Sequence, residues 1–291
     1  MQFVIFQGAG RLGNQLFQYN ALKYLFYQRY FARQKKYFII LNMHELINCL
    51  EIDFPYFHLA GKWVNSFMKN VGERLLNLVG KLRFISVLKI VKEDYHGFLV
   101  ERDFNFKKGI YPLIWVPVLY LQRSCLVQDK SHFRLKQIYI QKAMGLYRSL
   151  PKDKEVVFVH LRRGDYATFP VLGKVGTILP KEYYLKAITR IEVFLKNPFY
   201  VFLTDDPEYV SREFFDIKNK IISSCDHYTD LAFMTLCRYG IVSNSSFAWW
   251  GAYLMKERKK VIAPRYWLGF KRMVEYPPGI IANFFEILDP I

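Results

Sequence analysis

The sequence predicts an α/β protein in which short strands form parallel sheets covered by helices. Two observations lead to this prediction. The chain opens with a strand, a helix and a second strand, and from Lys154 onward short apolar strands alternate with helices without a break. Strands joined by helices run parallel, and a strand buried on both faces is apolar along its whole length.

The first half begins with a strand over residues 2–6, a helix over 13–32 and a strand over 37–42. The run QFVIF is apolar enough for a buried strand, and apolar residues after it repeat at helical spacing. From there to residue 150 the periodicity is mixed, and we assign only the amphipathic stretch described below.

The second half predicts five strands and four helices in alternation. The strands are EVVFVHL, FYVFLT, NKIIS, YGIVS and KKVIAP, and the helices run from Pro180 to Lys196 and over PEYVSREFF, TDLAFMTLCR and SSFAWWGAYLMKE. A boundary near residue 150 then gives two Rossmann-like domains, 1–150 and 151–291, which we expect to face one another.

Composition places the chain among folded globular proteins, since 52% of its residues are hydrophobic and 18% are aromatic. The longest uncharged apolar run, YPLIWVPVLYLQ, is too short to span a bilayer. Met1 is followed by the strand-like QFVIF without a basic leader, so we expect a cytoplasmic protein. The four cysteines lack CxxC spacing, which argues against a zinc site or a disulfide framework.

Positive charge is concentrated in the first half. The formal net charge is +17, of which residues 1–150 carry +13. The stretch 62–92 combines lysines and arginines with apolar residues at helical spacing, namely Val64, Phe67, Met68, Val71, Leu75, Leu78, Val79 and Leu82. It is either a core-facing helix with a solvated basic face or a surface that docks on an anionic membrane. We expect no nucleic-acid partner, because no recognition motif is present.

Residues 8–13, GAGRLG, match the dinucleotide-binding pattern GxGxxG between a strand and a helix. That pattern requires a carboxylate at the end of the next strand to hold a ribose hydroxyl, whereas YFIILN ends on Asn42. An NAD(P)-dependent oxidoreductase therefore stays as an alternative, although the sequence lacks the carboxylate that such an enzyme has at the end of its second strand.

Polar clusters also follow strands of the second half, at the sheet edge where α/β proteins bind ligands. In HLRRGDY, Arg162 and Arg163 offer planar guanidinium groups that suit a phosphorylated ligand. The alternative is an ion pair with Asp165 or another carboxylate. His160 beside the two arginines is a candidate ligand contact.

In SNSSFAWW, Ser245 and Ser246 stand where a helix starts, so we expect them to cap it. The same helix start is a natural phosphate seat, because its backbone N–H groups and its positive dipole end point outward. Both interpretations can hold together. We expect Trp249 and Trp250 to pack in the core.

In TDDP, Asp205 is a candidate contact for a nucleotide base or ribose. Asp206 is expected to be the N-cap of the next helix rather than a metal ligand, and we expect no metal. The sequence contains neither GxxxxGK[ST] nor GxSxG, so it offers no P-loop and no nucleophile elbow.

These motifs together resemble the α-1,2-fucosyltransferases of glycosyltransferase family 11. The resemblance rests on GRLGNQLFQY at 10–19, HLRRGDY at 160–166, LTDDPEYV at 203–210 and SNSSFAWWGAYL at 243–254. The HxRRxD pattern is shared with α-1,6- and protein O-fucosyltransferases, so it indicates GDP-fucose more strongly than a linkage. The resemblance implies a GT-B-like fold, with the donor bound mainly by the second domain and the acceptor by the first.

The resemblance also implies a reaction. L-Fucose moves from GDP-β-L-fucose to the 2-hydroxyl of a galactose unit in a glycan, with inversion and without a metal, and a lipid-linked acceptor would suit membrane docking. Since the departing diphosphate gains negative charge, the site must supply positive groups. The implied catalytic residues are Arg162, Arg163 and Asp165, and the implied donor contacts are Gly13, Asn14, His160, Asp205, Ser245, Ser246 and Phe247. Asp165 is also a candidate general base, although pairing with an arginine would weaken it.

Overall fold

The computed structural model describes residues 2–23, 36–52, 57–72, 74–75, 78, 88–90, 113–116 and 120–291. The chain divides into two compact units, Met1–Gln122 and Arg123–Ile291. This division lies earlier than the boundary expected near residue 150, because helix Gln137–Ser149 packs against helix His227–Leu236 of the second unit.

The first unit contains a parallel sheet. Its described strands are β1 (Gln2–Gln7), β2 (Lys36–Leu41), β3 (Phe57–Leu59), β4 (Leu88–Ile90) and β5 (Leu113–Val116). They lie in the order β3-β2-β1-β5-β4, and every pair runs parallel. The described helices are α1 (Leu12–Lys23), α2 (His44–Cys49) and α3 (Lys62–Phe67), which continues as the π-helical segment Met68–Gly72. The predicted strand–helix–strand opening is confirmed over β1, α1 and β2, and the predicted helical residues 24–32 lie outside the described residues.

The second unit has a six-stranded parallel sheet. Its strands are β6 (Val156–Leu161), β9 (Phe199–Thr204), β10 (Lys220–Ile222), β11 (Tyr239–Ile241), β12 (Lys260–Pro264) and β13 (Glu286–Leu288), and a separate hairpin is formed by β7 (Pro170–Val171) and β8 (Lys174–Val175). The sheet order is β10-β9-β6-β11-β12-β13. The first strand of the unit therefore lies in the middle, and connections leave it in opposite directions on either side. This is the doubly wound order. In such sheets ligands bind at the carboxyl ends of the two central strands, here β6 and β11, from which the chain connections diverge to opposite sides.

The helices of the second unit cover this sheet. They are α4 (Gln137–Ser149), α5 (Lys181–Glu192), α6 (Pro207–Glu213), α7 (His227–Leu236) and α8 (Ser246–Tyr253). The predicted alternation is confirmed, whereas α4, β13 and the hairpin were not predicted. All six residues of β6 are buried, because β6 has β9 and β11 as neighbours and helices on both faces. Trp249 and Trp250 are fully buried, as predicted, and the Trp249 indole donates a 2.8 Å hydrogen bond to the carbonyl of Ile280.

The stretch 62–92 does not bury its apolar face in the part that the structure describes. Met68 is buried, whereas the exposed apolar side chains are Trp63, Val64, Phe67, Val71, Leu75 and Leu78. The core-facing interpretation is therefore right for Met68, which packs with Leu41 and Trp115, and wrong for the six exposed residues. Val79 and Leu82 lie outside the described residues. Of the helices described, none combines the length and the apolar character needed to cross a bilayer.

Candidate functional site

Three predicted clusters meet at one edge of the second sheet. The strands β9, β6 and β11 are neighbours, so the residues that follow them lie side by side. A 2.8 Å hydrogen bond joins His160 Nδ1, at the end of β6, to Ser243 Oγ, which follows β11. This bond bridges the two strands between which the sheet order reverses, the place where doubly wound proteins bind phosphorylated ligands.

Arg162 lies between two carboxylates at this edge. Its Nη2 is 2.5 Å from Asp165 Oδ1 and its Nη1 is 2.9 Å from Asp205 Oδ2, and its Nε also donates to Asp165. The ion pairs that the sequence left as the alternative to a phosphate contact are therefore present, with both Asp165 and Asp205. A guanidinium has five N–H donors, and these contacts use three of them, so the arginine is held in place while donors remain for a ligand.

Arg163 turns toward a different partner. Its Nε is 2.9 Å from Asp206 Oδ2, and its guanidinium lies 3.6 Å from the ring centre of Tyr209. Asp206 is the N-cap of α6, as predicted, because its Oδ1 accepts the backbone N–H of Tyr209 at 3.0 Å. That backbone hydrogen bond, followed by the contacts with Arg163, lowers the pKa of Asp206. The guanidinium groups of the two arginines therefore have different carboxylate partners.

Asp205 ties the segment after β6 to β9. Its Oδ2 pairs with Arg162, and its Oδ1 accepts the backbone N–H of Arg163 at 2.9 Å. Residue 164 must be small for this arrangement, since a β-carbon on Gly164 would lie 2.5 Å from Asp205 Oδ2. Asp205 therefore organises the loop that carries Arg162.

The start of α8 lies close to Arg162 through Tyr166. The Arg162 guanidinium stands 5.7 Å from the ring centre of Tyr166, whose hydroxyl donates to the carbonyl of Asn244 at 3.3 Å. Ser245 occupies the N-cap position but makes no side-chain capping bond, so the expectation that it caps the helix through its hydroxyl is wrong. Burial raises the pKa of the nearby Tyr166 hydroxyl to about 12. In the described structure, therefore, the N-cap side chain does not occupy the amides at the start of α8.

His160 is neutral at pH 7. Burial, with the Arg162 charge as a second cause, lowers its pKa to about 3. Its ring lies 5.5 Å from that of Phe247 in the first turn of α8, centre to centre. His160 therefore acts as a neutral hydrogen-bonding group, and its place beside Phe247 and Ser243 brings the predicted donor contacts of β6 and α8 together.

The glycine-rich loop of the first unit is held by two buried glutamines. Gln18 exchanges two 3.1 Å hydrogen bonds with the backbone of Ala9, and Gln15 donates to the carbonyl of Gly10 at 3.0 Å. Gly10 has a φ of 73°, which favours glycine, and Asn14 packs directly against its α-carbon. Asn14 Oδ1 accepts a 2.7 Å hydrogen bond from Gln122, while Gly13 is buried in α1.

The end of β2 lacks the acidic residue that a dinucleotide site needs. Asn42 stands there with a φ of 54°, and its backbone N–H donates to Asn65 at 3.2 Å. Its carbonyl accepts from Gln15 at 3.3 Å. The residue thus serves the turn, and the oxidoreductase alternative gains no support.

The contacts of several residues at this edge were not predicted from the sequence. Tyr166 and Asn244 join Arg162 to α8, and Ser243 joins β11 to His160. All three stand inside the motifs HLRRGDY and SNSSFAWW, which was the available signal. Asp230, in the first turn of α7, is a partly buried carboxyl that accepts a 2.6 Å hydrogen bond from Ser223, and desolvation raises its pKa to about 7. No sequence pattern pointed to it.

Among the residues that the structure describes, no group of three or more His, Cys, Asp or Glu side chains is arranged to hold a metal ion. The acidic pair Asp205 and Asp206 is engaged by arginines, as described above. The positive charge visible at this sheet edge is that of Arg162 and Arg163.

Comparison with known proteins places the chain in context. The model of Glycosyl transferase family 11 matches residues 3–276. The O-antigen biosynthesis glycosyltransferase WbnK of Escherichia coli is 25% identical over 285 residues, which are 89% of this chain and 93% of that protein. An alpha-1,2-colitosyltransferase of Escherichia coli is 30% identical over 42% of this chain and 44% of its own length. The galactoside alpha-(1,2)-fucosyltransferase 2 of Hylobates lar is 22% identical over 84% of this chain and 67% of its own length.

Solved structures resemble the chain in fold. An Arabidopsis thaliana FUT1 mutant in complex with GDP has a TM-score of 0.55 at 8% identity, covering 89% of this chain and 70% of that one. The Escherichia coli ADP-heptose lps heptosyltransferase II has a TM-score of 0.51 at 11% identity, covering 99% of this chain and 90% of that one. Such low identities concern the fold alone, and they confirm the predicted α/β, GT-B-like class with parallel sheets.

Proposed function

The chain belongs to glycosyltransferase family 11, and from this premise we propose that it transfers L-fucose from GDP-β-L-fucose to the 2-hydroxyl of a galactose unit in a glycan, with inversion at the sugar carbon. One observation carries the proposal. Arg162 is fixed at the switch point of the second sheet, beside the start of α8, whose N-cap side chain makes no capping bond.

The proposed chemistry depends on stabilising a leaving group. As the bond between the sugar and the diphosphate breaks, negative charge builds on the phosphate oxygens and the sugar carbon becomes oxocarbenium-like. A fixed guanidinium and a helix start supply positive potential without reorganising, which is how preorganised sites lower a barrier. We assign the principal contact with the diphosphate to Arg162. Ser245, Ser246 and Phe247 would line the phosphate seat. His160, as a neutral side chain, would contact the GDP-fucose.

Arg163 and Asp165 take secondary roles in this proposal. Asp206 and the ring of Tyr209 already engage Arg163, so its charge adds to the field of the site while its side chain positions α6. Asp165 holds Arg162 and is the candidate base for the attacking hydroxyl. Asp205 positions the same loop and stays a candidate contact for the nucleoside.

The relatives support the linkage and the kind of acceptor. Two carry α-1,2 transfer in their names, one for fucose on galactosides and one for colitose, and WbnK is named for O-antigen biosynthesis. An α-1,2 linkage in a surface polysaccharide follows as the proposal for this chain. Because the colitosyltransferase is 30% identical over the matched part, transfer of colitose is the second candidate.

We assign the donor to the second unit and the acceptor to the first, with Gly13 and Asn14 as further contacts. The first half holds most of the positive charge, and exposed apolar residues accompany it between Trp63 and Leu78. These features support peripheral contact with an anionic membrane at its cytoplasmic face, where a lipid-linked acceptor would be reached.

We propose that transfer needs no metal, because Arg162 and the helix start offer the required charge. Addition of EDTA then leaves the transfer rate within about twofold of its untreated value, a change far smaller than loss of a catalytic group would cause. A loss of activity that Mg²⁺ or Mn²⁺ restores would refute this part of the proposal.

The test is release of GDP from GDP-fucose with a panel of galactose-terminated glycans, followed by NMR of the product. The proposal expects GDP release that depends on the acceptor and an α-linked fucose on O2 of galactose. A thermal-shift screen with GDP, NAD⁺ and NADP⁺ accompanies it, and GDP alone is expected to stabilise the protein. Stabilisation by NAD(P) without GDP release would favour the oxidoreductase, and turnover of a colitose donor alone would favour the second candidate.

A further inference from the structure

An exposed apolar surface lies on the second unit. We call it the hairpin patch, and its apolar members are Phe169, Leu172, Val175, Met273 and Val274, which are 45%, 36%, 68%, 70% and 53% exposed. Two chain segments build it. Lys271 Nζ donates to the carbonyl of Val175 at 2.8 Å, and Arg272 Nε donates to the carbonyl of Leu172 at 3.2 Å, so the β7–β8 hairpin and residues 270–274 are joined.

Two of the apolar residues occupy backbone positions that disfavour them. Leu172 and Gly173 connect β7 to β8 with φ values of 49° and 73°, the signs that a two-residue type I′ turn requires. Asparagine or glycine is usual at the first of these positions, because glycine has no β-carbon and the short polar side chain of asparagine can hydrogen-bond locally. Met273 has a φ of 53° directly after the 3₁₀ turn Phe270–Arg272, again where glycine or asparagine is usual. The chain therefore presents leucine and methionine to solvent at sites where the fold itself favours smaller polar residues.

The charged residues within the two segments that build the patch have one sign. Lys174, Lys271 and Arg272 are exposed, and residues 167–177 and 268–274 contain no aspartate or glutamate. Exposed apolar side chains ringed by cations suit the interface of a bilayer, where apolar groups enter the acyl boundary and cations remain among anionic headgroups. A neutral glycan would leave these cations without a counter-charge.

The patch is connected to the candidate donor site. The ring of Phe169 stacks on Tyr166 with centres 6.3 Å apart, and Tyr166 lies beside Arg162. The carbonyl of Tyr166 also accepts the backbone N–H of Thr177 at 2.8 Å, which closes the segment that carries the hairpin. A surface that binds the hairpin would therefore lie close to Arg162.

We propose that the hairpin patch docks on an anionic lipid bilayer, with Leu172, Val175 and Met273 entering the headgroup boundary. This deepens the proposed function and rests on its membrane contact, because docking here would bring the donor site to an acceptor anchored in lipid. The patch and the stretch 62–92 of the first unit consist of different residues, so the two surfaces can be varied independently.

The test is co-sedimentation of the full chain with vesicles, without donor or acceptor. Vesicles of phosphatidylcholine are compared with vesicles that also contain phosphatidylglycerol. Leu172→Asn combined with Met273→Asn is the patch variant, and Phe215→Asn is the control, since Phe215 is 68% exposed in the same unit outside the patch. A third variant, Trp63→Asn with Phe67→Asn, tests the first unit.

The wild type is expected to sediment with the anionic vesicles and not with the neutral ones. The patch variant should lose about tenfold or more in apparent affinity, since one leucine-sized side chain is worth roughly that factor. Its melting temperature should equal or exceed that of the wild type, because asparagine relieves the left-handed strain. The control should bind as the wild type does.

The proposal is overturned if the wild type ignores anionic vesicles, if it binds neutral ones equally, or if the patch variant binds as the wild type does while the Trp63 and Phe67 variant loses binding. The rise in melting temperature that GDP causes is measured for the patch variant as well, so that donor binding is judged separately from membrane docking. Loss of docking with stabilisation intact supports the patch. Absence of stabilisation in the wild type would refute the donor assignment, and the sedimentation result would still decide the patch.

Discussion

Replacing Gly164 by alanine perturbs the Arg162 loop without adding or removing a polar group. A β-carbon at this position would lie 2.5 Å from Asp205 Oδ2 and 3.5 Å from Asp205 Cγ. The Asp205 carboxylate must therefore move, and it is held at 2.9 Å by Arg162 Nη1 and at 2.9 Å by the backbone N–H of Arg163. One methyl group thus strains two charged hydrogen bonds at once.

The magnitude follows from those two bonds. A hydrogen bond to a charged group contributes about 1.5–3 kcal/mol, and water compensates part of the loss because the Asp205 side chain is 25% exposed. We expect Gly164→Ala to lower the free energy of unfolding by about 2 kcal/mol, which corresponds to a fall of about 4–8 °C in melting temperature. The affinity for GDP should fall by about tenfold, since Arg162 loses one of the two carboxylates that position it.

Gly145→Ala is the matched control. Gly145 lies in α4, where an alanine β-carbon would have no heavy atom within 4 Å, and alanine in a helix interior is more stable than glycine by about 1 kcal/mol. Calorimetric melting and titration with GDP measure both variants. If Gly164→Ala melts and binds GDP as Gly145→Ala does, the account of the loop is refuted.

Three further predictions concern titration and capping. The pKa of Asp230 is raised from 3.8 to about 7 in the folded protein. The free energy of unfolding that this shift contributes is therefore fully present below about pH 4 and is lost as the pH rises through 7. Asp230→Asn should flatten the resulting fall in melting temperature between about pH 5 and 8. The lowered pKa of His160, about 3, means that stability is lost as the pH falls from 6.5, and NMR titration should find its ring neutral at pH 5. Asp206→Ala should cost about 1 kcal/mol in thermal unfolding, and Asp206→Ser should recover most of it, because serine also caps a helix.

Much of the fold was accessible from the sequence because its signals are local. The strands β6, β9 and β12 are continuous apolar runs, and the Asp206 cap is coded by its own residue type and by the proline that follows. The hairpin β7–β8 was missed because a leucine occupies the turn position that an asparagine would have marked.

The partners of the site residues were not accessible in this way. Both Arg162 and Arg163 suited a phosphate from sequence alone, and only the packing of α6 against β9 decides that Arg163 meets Asp206 and Tyr209. Likewise, serine is a residue type that usually caps helices, but the Ser245 side chain makes no capping bond in the folded protein. Long-range pairings of this kind depend on strand order, which local patterns do not encode.

The rate of GDP-fucose turnover by Arg162→Ala, measured beside that of Arg163→Ala, tests the central claim most directly. If Arg162 stabilises the departing diphosphate, its removal should lower kcat by about 10²–10³ while circular dichroism shows a folded protein. Arg163→Ala should lower kcat by less than about tenfold, because its side chain is committed to Asp206 and Tyr209. An Arg162→Ala enzyme that turns over GDP-fucose within about threefold of the wild type would contradict the account.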